Sequence, residues 1–304
     1  MSDQIPVPLK AVHPVKGLAV LKRLKLRLKQ GKIKAIAVVI PFVIFFYLFQ
    51  LTPLIWVAIN SFKYDGEWSL EHYVELLDSA FIRQGFSNSL WLAFWSSLAG
   101  LIVAALLVAS LRHLNSRLRD FFIAFTNMSS NFAGVPLAFA FIIILGTNGA
   151  VTLLLKQWGV IDDFNLYGSH GLLALYIYFQ IPLAALLLYP AFDALKQEWQ
   201  EAAALLGASQ RVYWWRVGLP VLSPALLGTF IILFANAIGA YASVYALTAG
   251  NFNVVTVRIA SLVSGDLFLE PNLAAAISVV LITVLGVITA INQWLVSRSY
   301  HAKR

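Results

Sequence analysis

The chain has 304 residues, of which 60% are hydrophobic and only 12% are charged. Soluble domains carry about 25% charged residues, so this composition is typical of a protein whose solvent is lipid. The sequence has no cysteine, which excludes disulfides and thiolate metal sites. The formal net charge of +8 at pH 7 would suit nucleic-acid binding, but the placement of the basic residues, described below, argues against a nucleic-acid partner.

The predicted membrane spans are long apolar segments. Crossing the hydrocarbon core of a bilayer takes about 20 mostly apolar residues. Six segments meet this requirement, at 35–60, 88–111, 121–145, 171–189, 221–248 and 272–296. All 22 Lys and Arg residues and all 14 Asp and Glu residues lie outside them, because a charge at the centre of a span costs about 2.5–3.5 kcal/mol. The sequence therefore predicts an all-α membrane protein with six transmembrane helices.

The distribution of basic residues predicts how the spans are oriented. The N-terminal stretch, the C-terminal tail and the loops 112–120 and 190–220 together hold 18 of the 22 Lys and Arg residues. The alternate loops, 61–87, 146–170 and 249–271, hold the other four. Basic loops stay on the cytoplasmic side of a membrane. We therefore expect both termini and the loop 190–220 to be cytoplasmic.

The predicted organisation is a basic cytoplasmic segment (1–34), a six-helix transmembrane domain (35–297) and a short cytoplasmic tail (298–304). Segment 1–34 lacks the apolar core and small-residue cleavage site of a signal peptide. Its cluster of Lys and Arg is typical either of a stretch that lies on anionic lipid headgroups or of a disordered tail that sets orientation. The sequence leaves both interpretations open.

Several spans contain residues that predict irregular helices. Pro53 lies in the first span and predicts a kink, because proline removes a backbone donor. The polar, Gly- and Pro-containing stretch 127–136 predicts a break in the third span, which protein or a water-filled cavity must stabilise at membrane depth. In the following loop, the apolar residues from Val151 to Trp158 predict a short helix.

Polar and aromatic side chains within the spans are candidates for a solute pathway, since amide, hydroxyl and aromatic groups can bind a polar or cationic solute. The alternative for each of them is a hydrogen bond or packing contact between helices. The candidates are Asn131, Tyr178, Gln180, Asn236, Tyr241 and Tyr245.

The loop 190–220 has the pattern of two amphipathic helices. Apolar residues at three- and four-residue spacing predict one continuous stripe on the first helix, formed by Phe192, Leu195, Trp199, Ala202, Ala203 and Leu206. Gly207 is suited to end that helix, and Ser209 is suited to cap the next one. Val212, Trp215 and Leu219 predict a second stripe, and Pro220 is expected to end this helix before the fifth span. Such a hairpin either lies on the membrane or docks into the groove of a partner protein.

This loop resembles the EAA motif of the permease subunits of bacterial ABC importers. In that motif Glu-Ala-Ala is followed after three residues by Gly, after nine more by Ile, and after one more by Leu-Pro. The residues that match in type and spacing are Glu201, Ala202, Ala203, Gly207, Leu219 and Pro220, with Val217 at the position of Ile. Six specified matches in the predicted cytoplasmic loop make the resemblance specific. It covers about residues 35–297.

The resemblance implies the fold of a type I ABC importer permease in the bacterial cytoplasmic membrane. It implies that the loop is a coupling element that inserts into a separate ATPase, where ATP and Mg would bind. The implied partners are two ATPase subunits, a second permease subunit, identical or homologous, and an extracytoplasmic solute-binding protein, together with membrane lipid. We expect no catalytic residue, metal site or cofactor in this chain, because its spans lack ionisable groups and its histidines match no metal-ligand spacing.

The solute is less specified than the class of protein. The stretch 235–278 looks most like the spermidine/putrescine-type permeases, which favours a polyamine-like organic solute. Sugar and glycerol-phosphate permeases are the alternative within the same class. A secondary transporter is the alternative from another class, although such a protein normally has ionisable residues inside its spans, and this sequence has none there.

Overall fold

The computed structural model describes residues 39–112, 114–162, 164–264 and 269–301. The predicted basic segment 1–34 lies outside these residues, as does the end of the predicted tail, 302–304. Residue contacts divide the chain after Trp56 into two units, which are described separately below.

The first unit contains most of helix α1, whose full extent is Val39–Asn60. Just before Pro53, where the sequence predicts a kink, the helix widens into a π-helical turn, Tyr47–Leu51. The backbone N–H of Thr52 donates to the carbonyl of Tyr47, and its Oγ1 donates to the same carbonyl over 3.0 Å. The change of hydrogen-bond register thus comes directly before Pro53, whose nitrogen has no proton to donate.

The second unit continues from α1 into a short antiparallel hairpin and then into helices. The hairpin strands are β1 (Lys63–Tyr64) and β2 (Glu67–Trp68), with Lys63 paired to Trp68 and Tyr64 to Glu67. The helices are α2 (Glu71–Asp78), α3 (Ala80–Leu111), α4 (Ser116–Ser130), α5 (Val135–Leu145), α6 (Ala150–Gln157), α7 (Ser169–Asp193), α8 (Gln197–Leu205), α9 (Gln210–Ile238), α10 (Ala242–Thr248), α11 (Val255–Ser264) and α12 (Pro271–His301).

The prediction of six spans is confirmed. Within the described residues, six helical stretches are long and apolar enough to cross a membrane: Val39–Asn60, Ala80–Leu111, Val135–Gln157, Ser169–Asp193, Gln210–Ile238 and Pro271–Ile291. The short helix predicted at Val151–Trp158 is confirmed as α6, but it forms the end of the stretch Val135–Gln157 instead of lying in a loop after the third span.

The predicted limits of two spans are wrong. The third span, predicted at 121–145, is divided between α4 and α5 by the predicted break, where Gly134 has φ +72°. The apolar stretch long enough to cross the membrane begins only at Val135. The fifth span, predicted at 221–248, ends at Ile238, and a separate short helix, α10, follows.

The core is built around the contact between α3 and α7. Small residues, which allow helices to approach closely, are buried on α3, among them Ser97 and Gly100. Gln180 of α7 is fully buried, and its Nε2 donates to Ser97 Oγ over 3.2 Å and to the carbonyl of Leu233 in α9 over 2.7 Å. One amide side chain therefore links three spanning helices.

The Gly100→Ala substitution is expected to destabilise this three-helix contact. A Cβ at position 100 would lie 2.7 Å from the Cβ of Gln180, a separation that forces the two helices apart. Overpacking of this kind lowers the free energy of unfolding by about 1–3 kcal/mol. It should therefore lower the midpoint of thermal unfolding in detergent. The matched control is Gly228→Ala, because a Cβ at position 228 would meet no described atom within 4 Å. Equal unfolding midpoints for the two variants would contradict the close packing.

Candidate functional site

The motif-bearing segment folds as a hairpin, named here the 197–218 hairpin, formed by α8, a turn and the start of α9. The predicted glycine stop is confirmed, since Gly207 ends α8 in the left-handed conformation with φ +77°. Its N–H donates to the carbonyl of Ala204 over 2.9 Å, and the N–H of Ala208 donates to that of Ala203 over 2.9 Å. The predicted serine cap is confirmed as well: Ser209 Oγ accepts from the N–H of Val212 over 3.4 Å.

The tip of the hairpin presents two large apolar side chains to solvent. Leu205 is 89% exposed and Leu206 is 87% exposed, and both precede Gly207 directly. The continuous apolar stripe predicted from Phe192 to Leu206 is therefore wrong. Helix α7 ends at Asp193, and α8 begins at Gln197 after an extended residue, so the two halves of the stripe face different surroundings. Phe192 is buried at 3% exposure, whereas the leucines of the tip are not.

The helix break predicted at Pro220 is also wrong. Helix α9 runs from Gln210 to Ile238 without interruption and contains a π-helical turn at Trp214–Gly218. The N–H of Leu219 donates to the carbonyl of Trp214, so the register changes just before the proline, as it does before Pro53. The hairpin is thus joined to the fifth span by continuous helix, which makes a mechanical connection between them.

Trp214 lies at the base of the hairpin. Its ring is 6.4 Å from that of Phe192 at the end of α7, measured between centroids, and 5.9 Å from that of Tyr213. The ring also covers Gly218, where a Cβ would lie 2.5 Å from Trp214 Cε3. Glycine at position 218 is therefore required for this ring position. Neither residue is specified by the motif, and sequence reasoning did not identify them.

Glu201 lines a polar cavity of about 300 Å³ between the hairpin and the end of α3. Its Oε1 accepts from Nε2 of Gln197 over 2.9 Å, and Gln200 Nε2 donates to Gln210 Oε1 over 2.9 Å across the hairpin. Arg112 contributes the opposite charge to the same cavity, and its guanidinium donates to the carbonyl of Leu195. Glu201 thus faces α3, while the leucines of the tip face solvent.

The other motif residues occupy the outer surfaces of the hairpin and its junction with the fifth span. Ala202 is exposed and Ala203 half-buried on α8, Val217 is half-buried in the π-helical turn, and Leu219 and Pro220 are exposed at the start of the regular part of α9. The structure therefore places the motif on the 197–218 hairpin and its junction with the fifth span, and divides its residues between two faces.

Five of the six pathway candidates are exposed, and one is not. Gln180 is buried and makes the interhelical hydrogen bonds described above, which favours the packing alternative for this residue. The exposed candidates are Asn131, Tyr178, Asn236, Tyr241 and Tyr245. Tyr241 and Tyr245 lie side by side with centroids 5.3 Å apart, and Tyr178 contacts Phe141 edge-on at 5.5 Å.

Two of the helix breaks lie next to each other near these candidates. A Cβ at Gly134, in the break between α4 and α5, would lie 3.9 Å from the Cβ of Ala242, at the start of α10. In the break before α10, the carbonyl of Ala240 accepts from the Tyr176 hydroxyl over 3.2 Å. The hydroxyl of Tyr176 thus satisfies a backbone carbonyl that the helix leaves free in the second of these breaks.

The six spans define a multi-pass membrane protein. The chain belongs to the family of binding-protein-dependent transport system inner membrane components, whose model matches residues 96–299. The match includes the whole hairpin and all six pathway candidates. The predicted family, a membrane component of a binding-protein-dependent transport system, is therefore confirmed.

Two curated relatives that match the chain are named as permease proteins of transport systems. The ferric transport system permease protein FbpB of Actinobacillus pleuropneumoniae is 25% identical over an alignment of 292 residues that covers 93% of this chain and 41% of the relative. The sulfoquinovosyl glycerol transport system permease protein SmoH of Agrobacterium fabrum is 24% identical over an alignment of 200 residues that covers 62% of this chain and 65% of that relative. The chain spans about two fifths of the length of FbpB.

A chain of the bacterial alginate ABC transporter in complex with an alginate-bound periplasmic protein has the same fold. Its TM-score with this chain is 0.74 at 19% sequence identity, and the match covers 91% of this chain and 98% of that one. This likeness confirms the predicted fold of an ABC importer permease.

Proposed function

We propose that this chain is the permease subunit of an ATP-driven importer and that the 197–218 hairpin couples it to a separate ATPase. The observation that carries the proposal is the exposure of Leu205 and Leu206 beside Gly207. Large apolar side chains at the tip of an aqueous loop mark a surface that a partner covers. A short helix with an apolar end and small alanines fits a groove in another protein.

In this proposal ATP and Mg bind to two ATPase subunits outside this chain. ATP binding brings the two ATPases together and moves each hairpin with them. The uninterrupted helix from Gln210 to Ile238 then transmits the movement to the fifth span. The permease must make different contacts with the ATPases before and after this movement. A ligand shifts an equilibrium between two states only by the difference between its affinities for them.

The other proposed partners are a second permease subunit and an extracytoplasmic solute-binding protein, with both termini of this chain cytoplasmic. The exposed pathway candidates support a second permease, because a solute path at a subunit interface needs polar and aromatic groups on the surface of one chain. The paired rings of Tyr241 and Tyr245 are the best-defined part of this surface, and we propose that they contact the solute.

The proposed solute is a small organic molecule that the binding protein selects. The polyamine-like solute favoured by the sequence remains a prediction, and the sugar or glycerol-phosphate alternative remains beside it. The relatives include proteins named for ferric, thiamine and sulfoquinovosyl glycerol transport, and none of these names favours the polyamine. Identification of the binding protein produced with this chain, followed by measurement of its ligand, separates the alternatives.

Coupling through the hairpin is tested by the Glu201→Lys substitution. The new ammonium would share the polar cavity with Arg112, and Gln197 would lose its acceptor. We expect the ATPase to remain active while solute uptake in vesicles falls at least about tenfold, equivalent to about 1.4 kcal/mol of lost coupling. The control is Glu198→Lys, an exposed charge reversal on the same helix. Unchanged uptake in the Glu201 variant would show that the hairpin is not the coupling element.

A further inference from the structure

An apolar groove of about 430 Å³ runs along the surface between α3 and α9. Its walls include Ala105, Leu106, Phe192, Leu219, Leu222 and Leu226. The groove lies between two spanning helices and borders the ring of Trp214. Its position and lining suit a hydrocarbon chain of the bilayer.

The groove is continuous with the polar cavity behind the hairpin. Ala109 and Trp214 line both of them, so one surface changes from apolar to polar at the Trp214 ring. Helix α3 ends at Leu111, and Arg112 follows it directly into the polar part. The change therefore coincides with the end of a spanning helix, where lipid headgroups lie and where tryptophan is enriched.

The polar part holds one positive and one negative group that are not paired with each other. Arg112 uses one donor on the carbonyl of Leu195, and a guanidinium has five N–H donors in all. Glu201 accepts from Gln197 through Oε1, which leaves its second oxygen available. In the described part of the chain neither group has an ion-pair partner. The side chains of Arg112 and Glu201 are therefore too far apart to form a salt bridge with each other.

We propose that this surface binds a phospholipid of the phosphatidylethanolamine type. Its phosphate would accept hydrogen bonds from Arg112, its primary ammonium would donate to Glu201, and an acyl chain would fill the groove. The site offers one positive and one negative group, and this headgroup carries one charge of each sign. Phosphatidylcholine has a quaternary ammonium with no N–H to donate, and phosphatidylglycerol has no cation for Glu201.

The site would give the bilayer a direct contact with the back of the coupling hairpin. Glu201 and Gln197 belong to the hairpin, whereas Arg112 belongs to the end of α3, so the headgroup would bridge the two. Binding of the lipid requires no ATPase. The lipid proposal therefore fails or succeeds independently of the proposed coupling function.

The test measures tryptophan fluorescence of the full-length chain in bilayers that contain lipids with brominated acyl chains, which quench nearby rings. The chain has nine tryptophans, and the difference between it and the Trp214→Phe variant isolates the signal of Trp214. We expect brominated phosphatidylethanolamine to quench Trp214 more strongly than brominated phosphatidylcholine or phosphatidylglycerol. Separate Arg112→Gln and Glu201→Gln variants should lower this preference about tenfold, as for loss of one charged hydrogen bond.

The matched control is Arg117→Gln, an exposed arginine near the same end of α3, which should keep the preference. Equal quenching by the three headgroups, or stronger quenching by phosphatidylglycerol, would overturn the proposed headgroup. Absence of Trp214 quenching by any lipid would overturn the site altogether, because the groove would then be filled by protein, such as a second copy of this chain.

Discussion

Replacing Leu205 and Leu206 together with aspartate should release the chain from its ATPase while its membrane domain stays folded. The two side chains are 89% and 87% exposed, so they contribute little to the stability of the chain itself. Full burial of a leucine in a partner contributes about 1.5–3 kcal/mol. Loss of both should therefore weaken the complex at least about 100-fold, since about 2.7 kcal/mol corresponds to that factor.

The measurement is the affinity of the purified ATPase for the permease in nanodiscs, together with the unfolding midpoint of the permease. The control is Leu77→Asp, an equally large change at a leucine that is 64% exposed on α2, far from the motif in sequence. A double aspartate variant that binds the ATPase normally would exclude the tip as the docking surface. A variant with a markedly lower unfolding midpoint would show that the leucines stabilise the chain itself.

The spans were predictable from sequence because lipid imposes a single strong requirement. Every backbone polar group must bond within the helix, and charges must stay out of the hydrocarbon core. Long stretches without charge therefore identify the six helices whatever their tertiary contacts. Gly207 and Ser209 were equally predictable, since a left-handed helix end and a helix cap depend on the local backbone alone.

Contacts between helices could not be predicted in this way. In the break before α10, the carbonyl of Ala240 accepts a hydrogen bond from Tyr176, which lies 64 residues away in sequence. Pro220 was expected to end a helix, but a π-helical turn before it accommodates the missing donor. The prediction of one apolar stripe from Phe192 to Leu206 was wrong because the sequence pattern does not reveal that Lys196 is extended and separates the two helices.

One missed element did have a local signal. Asp65 and Gly66, with φ 49° and φ 86°, form the turn of the hairpin between β1 and β2. Aspartate followed by glycine is among the strongest signals for such a turn. The apolar segment before this turn is typical of a helix, and strands of two residues are too short to show an alternating pattern.

Substitutions of increasing size at position 207 should distinguish an effect on the backbone from a contact with the ATPase. Gly207 has φ +77°, and a Cβ there would meet no described atom within 4 Å. Any side chain at this position destabilises the folded state by about 1–2 kcal/mol, because it must adopt a left-handed conformation. Asparagine is less destabilising there than alanine. Within the chain, alanine, leucine and tryptophan should therefore lower the unfolding midpoint by similar amounts.

A partner groove closed around the hairpin would respond differently, because it must accommodate the added volume. We expect ATPase affinity and solute uptake to fall progressively from alanine to leucine to tryptophan at position 207, with tryptophan at least about tenfold below alanine. The matched control is Gly66, which has φ +86° and equal open space in the β1–β2 turn, and where leucine should leave ATPase affinity unchanged. If alanine and tryptophan at position 207 weaken ATPase binding equally, the glycine serves the backbone alone and the partner does not enclose the turn.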